Sequence, residues 1–429
     1  MTAEVAIVNA TAVALAADSA VTIGEQKIYN SALKVFALSK VAPVGIMIYG
    51  NAQLMDVPWE VLIKTFREEI GNKTLPYLKG YSNAFIKYVA DHTEYFPKST
   101  QLYWMEGNIR GYYRLIREEF FKMLRSQFSS ANHNLTDQQV SDIFAAKVSE
   151  HHAELSSKEF ADSIPKKFEE DFRVRHLDRF KKIRDNVFEK LPISNNIAKL
   201  LNDIAVFIHS RKVYSQNLSG VVVAGYGEKE IYPSVISYDV EGVIDDTIKY
   251  AINEKKSGSI TGGSECQIIP FAQDDMVATF MNGINPELLN FLSSYLTETF
   301  RRLPDIFLAK SATKKLKNSV TKDAAQLLSN LFDDLKNHLH DVHISPVLNM
   351  VTVLPKDELA EMAESLVNLT AFKRRMTDSV ETVGGPIDVA VISKGDGLVW
   401  IKRKHYFPQE LNQHFFRNYF RGIGDGKTT

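Results

Sequence analysis

The chain has 429 residues, which exceeds one average domain and predicts two or three domains, or one domain with large insertions. Its 45% hydrophobic and 24% charged residues are typical of a globular protein that can build a sizeable core. The net charge of -1 gives no bulk argument for a nucleic acid or an anionic membrane as a partner.

The first fifty residues have the pattern of β structure. Short runs of small and branched apolar residues predict two strands joined by a tight connection at 9–12. The continuous apolar run VGIMIYG is typical of a buried strand. The predicted strands cover residues 5–8, 13–17, 34–39 and 44–50.

A helix is predicted directly after these strands. Asp56 can cap it, and Pro58 would lie in its first turn. Leu62, Phe66 and Ile70 recur every four residues and predict its buried face.

The remaining chain alternates between helical and β patterns. Residues 103–208 are predicted to be helical, and mixed charges in 166–190 indicate a solvated helix face. A helix near 355–369 has Leu359, Met362, Ala363 and Leu366 on one face, and Asp396-Gly397 predicts the turn of a closing hairpin. The other predicted elements are strands at 221–227 and 231–242, helices at 285–341, a strand near Ile268, and the two strands that flank the final turn.

Strands therefore occur in the first, middle and last parts of the chain, with helices between them. This distribution favours one α+β core with helical insertions over several independent domains in a row. The expected core segments are 1–100, 206–284 and 346–412. Helical insertions are expected at 101–205 and 285–345, and a tail at 413–429.

Two features bear on the cellular compartment. No Lys or Arg precedes Lys27, and Glu4 and Asp18 interrupt the apolar amino terminus, so a secretion signal is not expected. No uninterrupted apolar segment approaches the length of a bilayer span, and Cys266, as the single cysteine, fits a reducing compartment. We expect a cytoplasmic protein with neither nucleic acid nor membrane as a partner.

Two segments resemble ligand-binding motifs but lack residues that those motifs require. The terminal GIGDGKTT resembles a phosphate loop, but its first glycine position is Arg421 and no helix follows. The histidine cluster HLHDVH at 338–343 lacks a second ligand group in the sequence. We expect no metal and no organic cofactor.

The amino terminus offers a different chemistry. A threonine hydroxyl is a weak nucleophile unless a base accepts its proton, and a free α-amino group can be that base. Its ordinary pKa of roughly 7.7–8.0 leaves part of it neutral at physiological pH. Thr2, followed by the small Ala3, would supply both groups once Met1 is removed.

Such a nucleophile needs a cation near the hydroxyl, an anion that holds the cation, and an N–H for the oxyanion. Asp18 ends the second predicted strand, and Lys34 begins the next one. Gly50 closes the strand VGIMIYG, where a bare backbone N–H can approach a ligand.

Thr2, Asp18, Lys34 and Gly50 together resemble the start of proteasome β-subunits and the related bacterial peptidases, within the N-terminal nucleophile (Ntn) hydrolases. The segments IYPSVISYDVEG at 231–242 and TVGGPIDVAVISKGDGLVWIKRKHYF at 382–407 are similar to later parts of that family. The resemblance covers about half of the chain. It implies an α+β fold, a four-layer αββα sandwich with mainly antiparallel sheets, interrupted here by helical insertions.

The resemblance also implies a function. Thr2 would cleave a peptide or amide bond through an acyl-enzyme, Lys34 would stabilise the alkoxide, Asp18 would fix Lys34, and the Gly50 N–H would hold the oxyanion. The implied partners are a peptide or protein substrate, further copies of the chain in a homo-oligomer, and an ATPase or other regulator.

The chain departs from the family at three places. Glu4 stands near the nucleophile where the family has an apolar residue, Val383 stands where it has a serine, and Asp378 is out of register. Only FMNGI at 280–284 could replace the family's Ser-Gly-Ser loop. These departures favour an alternative, an inactive Ntn-fold scaffold or assembly subunit, and a non-peptide amidase on the same fold is a third possibility.

Overall fold

The computed structural model describes residues 3–23, 27–29, 32–128, 136–189, 191–215, 217–260, 265–308, 313–376, 384–408 and 410–417. Within them the strands are β1 Glu4–Asn9, β2 Ala12–Ala17, β3 Val21–Ile23, β4 Lys27–Tyr29, β5 Val35–Ala37, β6 Val44–Gly50, β7 Gln53–Leu54, β8 Val57–Pro58, β9 Ser219–Gly225, β10 Ser234–Ile244, β11 Thr247–Ile252, β12 Gly258–Ser259, β13 Cys266–Ala272, β14 Asp388–Ser393 and β15 Gly397–Lys402.

The α-helices of the same residues are α1 Trp59–Ile70, α2 Leu78–Asp91, α3 Lys98–Phe128, α4 Asp137–Ser157, α5 Phe168–Phe188, α6 Asn195–Ser210, α7 Asp275–Asn282, α8 Pro286–Phe307, α9 Lys314–Leu339, α10 Ser345–Val353 and α11 Lys356–Arg375. A π-helical segment, His340–Ile344, joins α9 to α10. None of the helices in the described ranges combines the length and the apolar character that crossing a membrane would require.

The first sheet has the strand order β13-β1-β2-β14-β15, and every pair in it is antiparallel. The hairpin β1–β2 lies at its centre, and the Asn9 side chain closes the turn by accepting from the N–H groups of Thr11 and Ala12. Strands buried on both faces need continuous apolar runs, which is why β1 and β2 are apolar at nearly every position.

The second sheet has the order β11-β10-β9-β6-β5, with β12 added beside β10, and it is also antiparallel. The two sheets pack face to face through apolar residues of both, including Val13, Leu15, Met47, Val222 and Ile392. This contact is the centre of the core.

Helices cover the outer face of each sheet. On the first sheet, α11 packs over β2, whose outward residues Ala14 and Ala16 leave room for the helix to lie close. On the second sheet, α1 and α2 supply the large side chains Trp59 and Phe85. The chain is therefore a mixed α+β protein with antiparallel sheets, as predicted.

Helices α3, α4, α5 and α6 form a separate cluster of buried side chains between β8 and β9 in the chain. Helix α5 shows the expected division, since it buries Phe172, Phe180 and Val187 while charged residues occupy its other side. A buried ion pair ties the cluster to the second sheet: Lys249 Nζ lies 2.7 Å from Glu241 Oε2 and donates to the Ile208 carbonyl at the end of α6.

One helix cap was predicted wrongly. Met55 and Asp56 both have positive φ, 48° and 70°, and form the two-residue turn between β7 and β8. Helix α1 therefore begins at Trp59 with Pro58 as its N-cap residue, and no side chain caps it. Of the predicted buried positions, Leu62 and Phe66 are confirmed, and Ile70 at the end of the helix is only partly buried.

Candidate active site

The proposed nucleophile Thr2 lies outside the described residues, as do Asp378 and Val383. The description begins at Ala3, whose nitrogen is the peptide nitrogen that follows Thr2 in the chain. The surroundings of Ala3 therefore define the candidate site.

Asp18 follows β2 and is fully buried beside Ala3. Its Oδ1 accepts from the Ala3 N–H at 3.1 Å, and its own N–H donates to the Ala3 carbonyl at 3.1 Å. The other oxygen, Oδ2, accepts from the N–H groups of Gly384 at 3.0 Å and Ala20 at 3.4 Å. These hydrogen bonds hold the carboxylate in one orientation.

Lys34 lies just before β5 and is only 5% exposed. Its ammonium group forms an ion pair with Asp18 Oδ1, and Glu4 Oε1 lies 3.3 Å away on the other side. The structure thus brings Asp18 and Lys34 together, with a second carboxylate against the same ammonium. A buried charge is stable only when paired in this way.

The position of Glu4 follows from strand alternation. Glu4, Ala6 and Val8 point from β1 toward the second sheet, and Glu4 is fully buried. In the sequence, Glu4 stands out only as a departure from the family pattern. A charged residue at an inward position of an otherwise apolar strand was the signal that could have placed it beside Lys34.

A second ion pair lies next to the first. Asp388, opposite Ala17 in the sheet, accepts from the Lys404 N–H at 2.8 Å and from the Lys404 ammonium at 2.6 Å. Burial lowers the pKa of Lys404, the pairing with Asp388 opposes that shift, and the charge of Lys34 lowers the pKa further. The negative charge of Asp18 raises the pKa of Lys404, so both members of the first ion pair act on Lys404 with opposite signs.

A third polar group lies on the side of the second sheet. The Tyr49 hydroxyl donates to Asp239 Oδ1 at 3.2 Å, and the Lys256 ammonium lies 4.7 Å from the centre of the Tyr49 ring. Burial lowers the pKa of Lys256, while the negative charges of Asp239, Asp274 and Glu4 oppose the shift. The carboxylate of Glu4 thus acts on Lys256 as well as on Lys34.

Gly50 ends β6 in a conformation that needs glycine. Its φ is +76°, and a Cβ there would lie 2.4 Å from the Leu218 carbonyl oxygen. The Ile48 N–H donates to the Lys34 carbonyl at 2.9 Å. Because strand residues two apart point their N–H groups the same way, the Gly50 N–H faces the same side as that of Ile48.

Lys34 and Gly50 line one pocket of about 150 Å³. Its walls include the apolar side chains Phe36, Ile48 and Trp59. An ammonium group, a backbone N–H and an apolar wall are the groups that bind and polarise a carbonyl-containing chain.

Ser19, directly after Asp18, contributes a buried hydroxyl that was not predicted from the sequence. Ser19 donates its N–H to the Gly384 carbonyl at 3.2 Å and its hydroxyl to the Pro386 carbonyl. Ser19 is fully buried. Its position after Asp18 carried no pattern that would have singled it out.

The other predicted motifs fall elsewhere. Residues 280–284 end α7, where Gly283 is a left-handed C-cap packed against the His343 ring. The histidines of 338–343 span the end of α9 and the π-helical segment. Over the described ranges, no three His, Cys, Asp or Glu side chains are grouped as a metal site would require.

Comparison with known proteins adds no assignment. No model of a protein family matches the chain, and no curated protein matches it. The functional argument therefore depends on the sequence and the geometry alone.

Proposed function

We propose that this protein is a proteasome-like N-terminal threonine hydrolase that cleaves peptide or amide bonds. The observation that carries the proposal is the Asp18 carboxylate, which accepts from the Ala3 N–H while it pairs with the buried Lys34 ammonium. Ala3 directly follows Thr2 in the chain. The residue that donates to this ion pair is therefore bonded to the candidate nucleophile.

The fold assignment is part of the same proposal. Two antiparallel sheets packed face to face, with α11 outside one and α1 and α2 outside the other, support an αββα sandwich of the Ntn-hydrolase type. In this assignment α3–α6 and α8–α9 are insertions into the sandwich.

The proposed mechanism begins with removal of Met1, which frees the α-amine of Thr2. Thr2 Oγ passes its proton to that amine through a water molecule and attacks the carbonyl carbon of the substrate. Lys34 stabilises the developing alkoxide, Asp18 holds Lys34, and the Gly50 N–H donates to the tetrahedral oxyanion. The amine product leaves with the proton, and water then hydrolyses the ester on Thr2.

Two measurements test this mechanism. Intact mass spectrometry should show a chain that begins at Thr2, because a retained Met1 would block the amine. Thr2→Ala should abolish hydrolysis of a peptide library without changing the far-ultraviolet circular dichroism. Thr321→Ala is the matched control, since Thr321 is exposed on α9 and its hydroxyl donates only to its own helix, at Lys317 O. Equal activity of Thr2→Ala and wild type would refute the proposal.

One observation favours a second candidate, an inactive scaffold with the same fold. Glu4 adds a carboxylate 3.3 Å from the Lys34 ammonium, which offsets the charge that an alkoxide would need. Covalent labelling with a threonine-directed inhibitor separates the two candidates. The hydrolase should gain the inhibitor mass on Thr2, and the scaffold should not react.

The remaining assignments follow from the resemblance. We propose a peptide or protein as substrate, a homo-oligomeric assembly, an ATPase or other regulatory protein as a partner, and a cytoplasmic location. The chemistry proposed here uses only groups of the polypeptide and water.

A further inference from the structure

Helices α8 and α9 form an antiparallel hairpin that projects from the core. They pack mainly on each other, and the hairpin meets the rest of the molecule at its base, where α8 contacts α7 and α9 continues into the π-helical segment. The contact between the two helices is narrow, and among the described residues of α9 it buries only Ala324 and Leu328.

The hairpin leaves many large apolar side chains exposed. On α8, Leu288, Phe291 and Tyr295 are 50%, 63% and 61% exposed, and the Phe291 and Tyr295 rings stack at 6.0 Å. On α9, Leu327 is 63% exposed and Leu331 is 45% exposed. The same surface includes the exposed side chains Leu292, Ile306 and Leu316.

Helical periodicity places both stripes on one side of the hairpin. Leu288, Leu292 and Tyr295 lie about 100° to one side of the α8 residues that face α9. Leu327 and Leu316 lie on the corresponding side of α9. We call this side the apolar face of the hairpin. An apolar stripe of this width normally faces a core, and contiguous exposure of this kind marks an interaction surface.

Charge is distributed unevenly along the hairpin. The tip half, residues 298–307 of α8 and 314–322 of α9, contains six basic and two acidic residues. The base half, residues 286–297 of α8 and 323–339 of α9, contains four acidic residues and one lysine. The hairpin is therefore positive at its tip and negative at its base.

We propose that the apolar face binds the same face of a second copy of this chain, with the two hairpins antiparallel. In that arrangement each positive tip lies beside the negative base of the other hairpin, and the apolar stripes meet to form a four-helix bundle. A parallel arrangement would oppose like charges at both ends.

The length of the hairpin also favours a second copy of this chain as the partner. Helix α8 has 22 residues and is about 33 Å long, so two antiparallel hairpins overlap over several turns. The two cores then lie at opposite ends of the bundle and do not compete for space. A two-fold contact of this kind uses one surface on both copies and closes on itself.

Sedimentation of the full chain tests the apolar part of the contact. The wild type should sediment as a dimer or as an even-numbered assembly, and Leu327→Glu should halve that mass and raise the dissociation constant roughly a hundredfold or more. Ala325→Glu is the matched control, because Ala325 is exposed on the other side of α9. Circular dichroism should show equal helix content in all three proteins.

A charge exchange tests the antiparallel orientation. Lys314→Glu with Lys315→Glu should weaken the dimer, as should Asp333→Lys with Asp334→Lys. Each double variant alone places like charges at both contacts of its homodimer. Mixing the two double variants pairs opposite charges at both contacts of the heterodimer, so the mixture should dimerise. Combining all four changes in one chain should restore the dimer as well. A monomeric wild type would overturn the proposal. So would an assembly that Leu327→Glu leaves intact, or a monomer that binds phosphatidylglycerol vesicles through Leu327.

Discussion

Replacing Asp18 by Asn separates the roles of the two carboxylates around Lys34. The Asp18 oxygens accept from Ala3 N, Gly384 N and Ala20 N as well as from the ammonium group. An Asn side chain has one acceptor oxygen, so its NH₂ group must face two of these donors.

The lower-energy orientation of the amide keeps its oxygen on Lys34 and Ala3. The N–H groups of Gly384 and Ala20 then lose their acceptor inside the protein, at about 1–3 kcal/mol each. Lys34 also loses its nearer negative charge and retains Glu4 at 3.3 Å. We expect a total loss of about 3–5 kcal/mol in the free energy of unfolding, which is the range for breaking a buried ion pair.

Glu4→Gln provides the comparison. Lys34 keeps Asp18 in that variant, and the Gln oxygen can still accept, so we expect a loss of about 1 kcal/mol. Urea unfolding followed by circular dichroism measures both changes from the transition midpoints. A Glu4→Gln loss equal to or larger than that of Asp18→Asn would refute the assignment of Asp18 as the main partner of Lys34.

Three further predictions concern other parts of the molecule. Gly50→Ala should lower the free energy of unfolding by about 1–3 kcal/mol, because Gly50 has a positive φ and lies close to a carbonyl oxygen. Gly107→Ala, at an open position of α3, should instead raise it by roughly 1 kcal/mol, and thermal melts measure both changes. Burial lowers the pKa of His209 to about 4 from an ordinary 6.5. The free energy of unfolding should therefore be highest above pH 6.5 and fall by about 3 kcal/mol as the pH drops to 4. Urea titrations of His209→Phe should lack the share of this decrease that His209 contributes. Glu241→Gln leaves the buried Lys249 without its counter-charge and should lower the free energy of unfolding, measured in urea, by about 3–5 kcal/mol. Adding Lys249→Met removes the unpaired charge and should recover part of that loss.

Much of the secondary structure was predictable because it follows from local patterns. Strand β6 has the predicted bounds, and the apolar runs of β1, β2 and β14 give strands within one or two residues of expectation. The cap at Asp56 failed because a two-residue hairpin turn competes for the same residue. Local patterns do not distinguish these two uses of an aspartate before a proline.

The surroundings of the candidate site were only partly predictable. The pairing of Asp18 with Lys34 could be predicted only from the family resemblance, because their spacing in the sequence alone does not bring them together. Glu4 and Ser19 were not placed, because their burial depends on which sheet face and which returning segment cover them. Such tertiary contacts, including the Gly384 N–H on Asp18, join residues far apart in the chain.

The order of the first sheet has a consequence for how the protein is made. The hairpin β1–β2 precedes both of its neighbours in the chain by a long interval, since β13 begins at Cys266 and β14 at Asp388. During synthesis the β1 edge stays unpaired until β13 has emerged and the β2 edge until β14 has emerged, whereas α3–α6 need only local contacts and can form earlier. The long interval leaves two apolar strand edges exposed to other chains, so expression at lower temperature or with a chaperone that covers strand edges should raise the yield of folded protein.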